Sequence, residues 1–159
     1  MATIQRFEDL VMFKKARELT KEVYVSLAKC RDNGFRDQIQ RASVSIVSNI
    51  AEGFESGTKS EFLNYLYIAK ASAGEVRAQL YIAYDIGYLH IETFRHLNLL
   101  AEGCSRLIAS FIKKLKSGGM SGMQFKREAP RDLATEMLRE AGYVRLPNGR
   151  VVEKKDLGA

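Results

Sequence analysis

Proline is scarce in this chain: there are two in 159 residues, both after position 129. Nothing upstream of them therefore forbids long, uninterrupted helices. Cysteine is as sparse. Cys30 and Cys104 stand far apart without CxxC spacing, which speaks against a disulfide scaffold and for small buried hydrophobes in a reducing cytosol. His90 and His96 are the only histidines, and six residues apart is poor spacing for a metal shared along one helix face. No apolar run approaches the ~18 residues of a membrane span, and "MATIQRFEDL" lacks the apolar core of a secretory signal. GxSxG, P-loop and dinucleotide-binding glycine patterns are missing as well, so no activated nucleophile or phosphate cradle is predicted. These absences lead us to expect a soluble, cytoplasmic, non-enzymatic protein with no metal, no cofactor and no membrane partner.

What is present has ordinary globular proportions, with 46% hydrophobic and 28% charged residues, enough for one domain with a real core and an appendage. The net charge is +6 and the sequence pI about 9.4, a bias that favours an anionic partner such as nucleic acid. No charge block stands out, so a basic surface has to be assembled by folding or by oligomerisation.

Helical periodicity dominates the first 117 residues. A first helix is predicted from about Phe7 to Arg31, with Leu10, Phe13, Ala16, Thr20, Val23 and Leu27 on one face, closed by the turn residues "RDNG". A second, about Phe35 to Glu52, aligns Ile39, Ala42, Ile46, Asn49 and Gly53, after which Gly53 and Gly57 break the pattern. Thr58 and Glu61 form a capping-box signal for a third helix, about Lys59 to Ile86, with Phe62, Leu66, Ala69, Ala73, Val76, Leu80 and Ala83 in line and Gly87 as its cap. The fourth, about Ile91 to Ser117, carries Leu97, Ala101, Cys104, Ile108, Phe111 and Leu115 and ends in Lys113, Lys114 and Lys116. Short connections make neighbours antiparallel, so the expected fold is all-α: an up-down-up-down four-helix bundle over residues 1–117.

Residues 118–159 read as a linker, "GGMSG", and a C-terminal extension. A short helix is expected at about 131–141, with Pro130 near its start and Gly142 at its end. A hairpin is expected over 143–154, with Asn148-Gly149 as its turn. So few apolar groups would scarcely fold alone, so the extension should dock on the bundle or a partner, or stay partly mobile.

The stretch "RASVSIVSNIAEG", Arg41 to Gly53, interleaves small polar residues with its apolar line. Arg41, Ser45, Ser48 and Glu52 follow helical steps beside Ala42, Ile46 and Asn49. One reading makes Ser43, Ser45 and Ser48 a close intramolecular contact, with Asn49 bonding a neighbouring backbone. The other places this stripe at a subunit interface or an oligomer's channel. Gly74, mid-helix in "AKASAGE", costs up to about 1 kcal/mol relative to alanine, a cost that close backbone approach would offset.

The blocks "FEDLVMFKKARELTKEVY", "QIQRASVSIVSNIAEG", "EFLNYLYIAKASAGEVRAQL" and "AYDIGYL" resemble the four-helix-bundle proteins encoded in intervening sequences of bacterial 23S ribosomal RNA genes. That family is related to the accessory variability determinant (Avd) of diversity-generating retroelements. The resemblance spans about residues 5 to 116. It implies an antiparallel bundle that assembles into a homopentameric ring with a basic surface and, in the Avd branch, binding to a reverse transcriptase and to nucleic acid. It also implies that Arg41, Ser45, Asn49, Glu52 and Gly53 are signature positions, structural rather than catalytic. The chain departs from the pattern at Met12-Phe13, where tryptophan is common, and in its extension.

For nucleic acid, the residues to watch are Lys14, Lys15, Arg17 and Lys21 on the first helix and Lys113, Lys114 and Lys116 on the fourth. For oligomer packing they are Arg41, Ser45, Ser48, Asn49, Glu52, Gly53 and Gly74. Tyr67, Lys70, Gly74, Arg77, Tyr81 and Tyr84 keep helical steps, a stripe that packing between helices or subunits explains better than base stacking. The expected function is a homo-oligomeric accessory protein, a pentamer, that binds RNA or DNA, a reverse transcriptase, or both. The alternative is an oligomeric scaffold whose extension recruits a partner and whose charge is incidental.

Overall fold

Four long helices make up most of the computed structural model, which describes residues 4–118, 133–146 and 150–157. They are α1 (Val11–Ser26), α2 (Asn33–Glu55), α3 (Lys59–Asp85) and α4 (Ile91–Lys116). Each helix packs on two others: α1 on α2 and α4, and α3 on α2 and α4. With connections of a few residues, this is the up-down-up-down bundle that the periodicity predicts.

The seven residues predicted along α3, from Phe62 to Ala83, are all fully buried. On α4, Leu97, Ala101, Cys104, Ile108 and Leu115 are buried, while Phe111 packs on the core from its margin. Four edge-to-face ring contacts link Phe13, Phe7, Phe54, Phe62 and Phe111 in succession, at centroid separations of 4.9, 6.5, 6.0 and 5.5 Å. They close the end of the bundle where α1 begins.

Helix ends differ from the expectation in four places. The first helix is broken at Leu10, whose φ and ψ of −64° and 126° separate a 3-10 turn, Phe7–Asp9, from α1. Its other end stops at Ser26, short of the predicted Arg31. "RDNG" is not only a turn: the Asp32 carboxylate accepts the Phe35 N–H at 3.0 Å and caps α2, so Asn33 and Gly34 are already helical. Nor does Gly53 break α2, which runs through it to Glu55. A Cβ at Gly53 would lie 2.7 Å from both Phe62 Cδ2 and Tyr65 Cβ, so glycine here lets α2 and α3 approach closely.

The remaining caps follow the sequence. Thr58 Oγ1 accepts the Glu61 N–H at 3.2 Å and donates to the Glu61 carboxylate at 2.7 Å. Gly87, at φ +80°, ends α3, and the Tyr88 and Gly87 N–H groups close on the carbonyls of Ala83 and Tyr84 at 2.7 and 3.1 Å.

The chain divides into two compact units, Met1–Lys126 and Arg127–Ala159. In the second, α5 (Leu133–Glu140) ends at Gly142, with φ +85°. Strands β1 (Tyr143–Arg145) and β2 (Val151–Glu153) then pair antiparallel with Val144 opposite Val152, and a 3-10 turn follows at Lys154–Leu157. The expected Pro130 helix start, the "GGMSG" linker beyond Gly118 and the Asn148-Gly149 turn lie outside the described residues.

Candidate nucleic-acid interface

On α1, Lys14, Arg17, Lys21 and Tyr24 recur at steps of three, four and three, so they share one stripe. That stripe borders α2, where Val44 and Val47 face it, and the two helices enclose a groove of about 700 Å³. Thr20 lies on its floor, with its hydroxyl donating to the carbonyls of Ala16 (2.9 Å) and Ser43 (3.0 Å). The lower surface is therefore apolar and its rim cationic. Lys14, Arg17 and Lys21 are exposed, and none is ion-paired among the described residues. Glu18, the one carboxylate on the groove, is engaged by Lys15 at 2.6 Å.

Lys15 is not part of this set. It follows Lys14 by one residue, about 100° around the helix, and its charge acts instead on Cys104 of α4. Burial nevertheless dominates there and pushes the Cys104 thiol up to about 12. It stays protonated at neutral pH and is a poor nucleophile. His96 approaches Glu22 at 3.9 Å, and His90 caps α4 without a side-chain hydrogen bond. No group of three or more His, Cys, Asp or Glu able to hold a metal occurs among the described residues.

Lys113, Lys114 and Lys116 occupy the last turn of α4, where cations favour the negative end of the helix dipole. They lie outside the groove. Lys116 sits over the Tyr67 ring, 5.2 Å from its centroid, and Lys114 lines a separate crevice with Ile4, Val11 and Phe111.

Of the small polar residues of α2, Ser43 and Asn49 donate within their own helix and Ser45 reaches α3. Ser43 is fully buried and donates to the Gln40 carbonyl at 2.8 Å. Ser45 Oγ lies 2.9 Å from Ser72 Oγ of α3, and Asn49 donates to the Ser45 carbonyl and hydroxyl at 2.8 and 3.1 Å. Ser45, Ser72 and Asn49 thus form one chain of hydrogen bonds at the α2–α3 contact. Asn49 bonds its own helix one turn back rather than a neighbour. Ser48 is half-buried, Glu52 is exposed, and Arg41 is exposed and paired with Asp37. Gly74 is exposed, with nothing within 4 Å of a Cβ built there.

The tyrosine stripe of α3 packs on α4. Tyr81 and Tyr84 both lie 5.0 Å from the Phe94 ring, and Arg77 reaches Glu102 at 3.3 Å. Tyr24, Val44 and Val47 were not named as site residues from sequence. Tyr24 was within reach, three residues beyond Lys21 on the same stripe, but the two valines join it only once α2 packs beside α1.

A family model described as 23S rRNA-intervening sequence protein matches residues 8–110. The chain belongs to that family. No curated protein matches it. Among solved structures it is similar to a protein of unknown function from the S23 ribosomal protein family of Bacteroides thetaiotaomicron VPI-5482. The identity is 25%, the TM-score 0.60, and the match covers 65% of this chain and 96% of the other. The span matched by the 23S rRNA-intervening sequence family contains the whole α1–α2 groove. It ends before Lys113 and excludes the C-terminal unit. No helix among the described residues is long and apolar enough to cross a membrane.

Proposed function

We propose that this member of the 23S rRNA-intervening sequence family acts by binding rather than by catalysis, as a cytoplasmic, homo-oligomeric accessory protein whose α1 surface holds nucleic acid, RNA in the first place. One observation carries the reading: Lys14, Arg17 and Lys21 stand over one groove without an ion pair among the described residues, while the carboxylate that lines it, Glu18, is held by Lys15. Cations displayed this way release counterions when they meet phosphate, which is the main source of nucleic-acid affinity. The unpaired thiols Cys30 and Cys104 fit a reducing compartment.

Self-assembly, as the pentamer that the resemblance implies, is supported by the outward face of α3. Tyr67, Ile68, Tyr81 and Ile82 are 45–50% exposed there, and the open Gly74 lies between the two pairs. Repeating the groove around a ring would turn weak phosphate contacts into avidity. A reverse transcriptase, as in the Avd branch, is the protein partner we propose.

The test is binding of the purified protein to a structured RNA and a duplex DNA across a salt series, with solution mass measured in the same samples. The reading expects affinity that falls linearly on a log–log salt plot and weakens on charge reversal at Lys14 or Arg17. It also expects a mass about five times the 17.9 kDa chain. Absence of binding at low salt overturns it in favour of a scaffold whose C-terminal unit recruits a partner.

A further inference from the structure

Five tyrosines are exposed among the described residues, and four of them are engaged. Tyr67 lies beneath Lys116, and Tyr81 and Tyr84 pack on Phe94. Tyr88 donates to Asp32 at 2.9 Å and packs edge-to-face on Phe35. Tyr24, 46% exposed, makes no ring contact and no hydrogen bond among the described residues. It stands on the same stripe as Lys14, Arg17 and Lys21, above Val44, which is itself 40% exposed.

From this we infer that the α1–α2 groove is built for an unpaired stretch of RNA rather than for a duplex, with Tyr24 as the surface on which a base stacks. This rests on the nucleic-acid reading above and narrows its partner. A duplex presents sugars and phosphates outward and keeps its base faces stacked inside, so it would use the cationic rim and leave Tyr24, Val44 and Val47 in water. An unpaired strand turns base faces outward and can use both parts of the groove at once: phosphates on Lys14, Arg17 and Lys21, and one base against the Tyr24 ring with its neighbour over the valines. From Lys14 to Tyr24 the stripe climbs ten helical steps, about 15 Å along the helix, which suits a few nucleotides.

The test uses the full chain and three labelled probes of one sequence: a short single-stranded RNA, that strand annealed to its complement, and the single-stranded DNA. At one salt concentration the single-stranded RNA should bind at least about tenfold more tightly than the duplex, since stacking one base is commonly worth that factor or more. Tyr24→Ala should remove about that factor for the single strand and leave the duplex unchanged, while Tyr24→Phe keeps wild-type affinity. Three phosphate contacts to a single strand predict a log–log salt slope of about −2 per groove, falling by about 0.7 with each of Lys14, Arg17 or Lys21 replaced by alanine. Equal affinity for single strand and duplex, with Tyr24→Ala silent, would overturn the stacking groove while leaving nucleic-acid binding standing. Binding to none of the probes would overturn both readings, and tighter binding of the DNA strand than of the RNA would overturn the assignment to RNA.

Discussion

Two helical glycines, Gly53 in the last turn of α2 and Gly74 in the middle of α3, should respond oppositely to the same substitution. At Gly53 a new Cβ meets Phe62 Cδ2 and Tyr65 Cβ at 2.7 Å, well inside van der Waals contact. Neither neighbour yields easily: the Phe62 ring is fully buried between Phe54 and Phe111, and the Tyr65 atom is fixed to its backbone. Overpacking of this kind costs about 1–3 kcal/mol, against which alanine recovers about 0.5–1 kcal/mol of helix propensity. Gly53→Ala should therefore destabilise the bundle by about 0.5–2 kcal/mol. At Gly74 nothing lies within 4 Å, so Gly74→Ala should stabilise it by about 0.5–1 kcal/mol. Thermal and urea melts at one protein concentration would place the two midpoints on the order of 10 °C apart. A Gly53→Ala protein as stable as wild type would refute the reading of this contact.

Bulk at Gly74 also tests assembly. Gly74→Leu should lower the solution mass if this face of α3 meets another subunit, whereas bulk at Ser45, already 2.9 Å from Ser72, would disturb the chain's own α2–α3 contact. Asp32→Ala should lower the melting midpoint, because it removes both the α2 cap and the Tyr88 hydrogen bond. Those two bonds hold the Asp32 carboxyl below its usual range, so the stability it adds is present above pH 3.8 and is lost as the pH falls further. Cys104 works in the other direction. Its thiol ionises near 9.0 when unfolded and near 12 when buried, so its contribution should fade as pH rises from about 9 to about 12, a loss that Cys104→Ala abolishes. At neutral pH, a thiol reagent should label Cys30 and spare Cys104 in the folded protein.

The bundle was legible because seven residues from Phe62 to Ala83 keep strict helical time, and periodicity of that length has one economical solution. Ends were less so. Leu10 breaks the first helix without proline or glycine, and Asp32 caps α2 from within a segment that reads as a turn. Gly53 reads as a terminator from sequence, since its value lies in a neighbour, Phe62, nine residues on. The candidate site was half legible. Lys14, Arg17 and Lys21 could be named, but linear proximity drew in Lys15, which a single helical step turns toward α4. Val44 and Val47 belong to the groove only because α2 lies beside α1, and no local pattern announces that.

The most direct test of the central claim is to photocrosslink a single-stranded RNA to the full-length protein and identify the attached peptides by mass spectrometry. The account predicts adducts between Lys14 and Tyr24 and around Val44–Val47, lost in a Lys14→Glu, Arg17→Glu, Lys21→Glu variant that melts normally. Adducts confined to the last turn of α4 or to the C-terminal unit, unaffected by that variant, would contradict it.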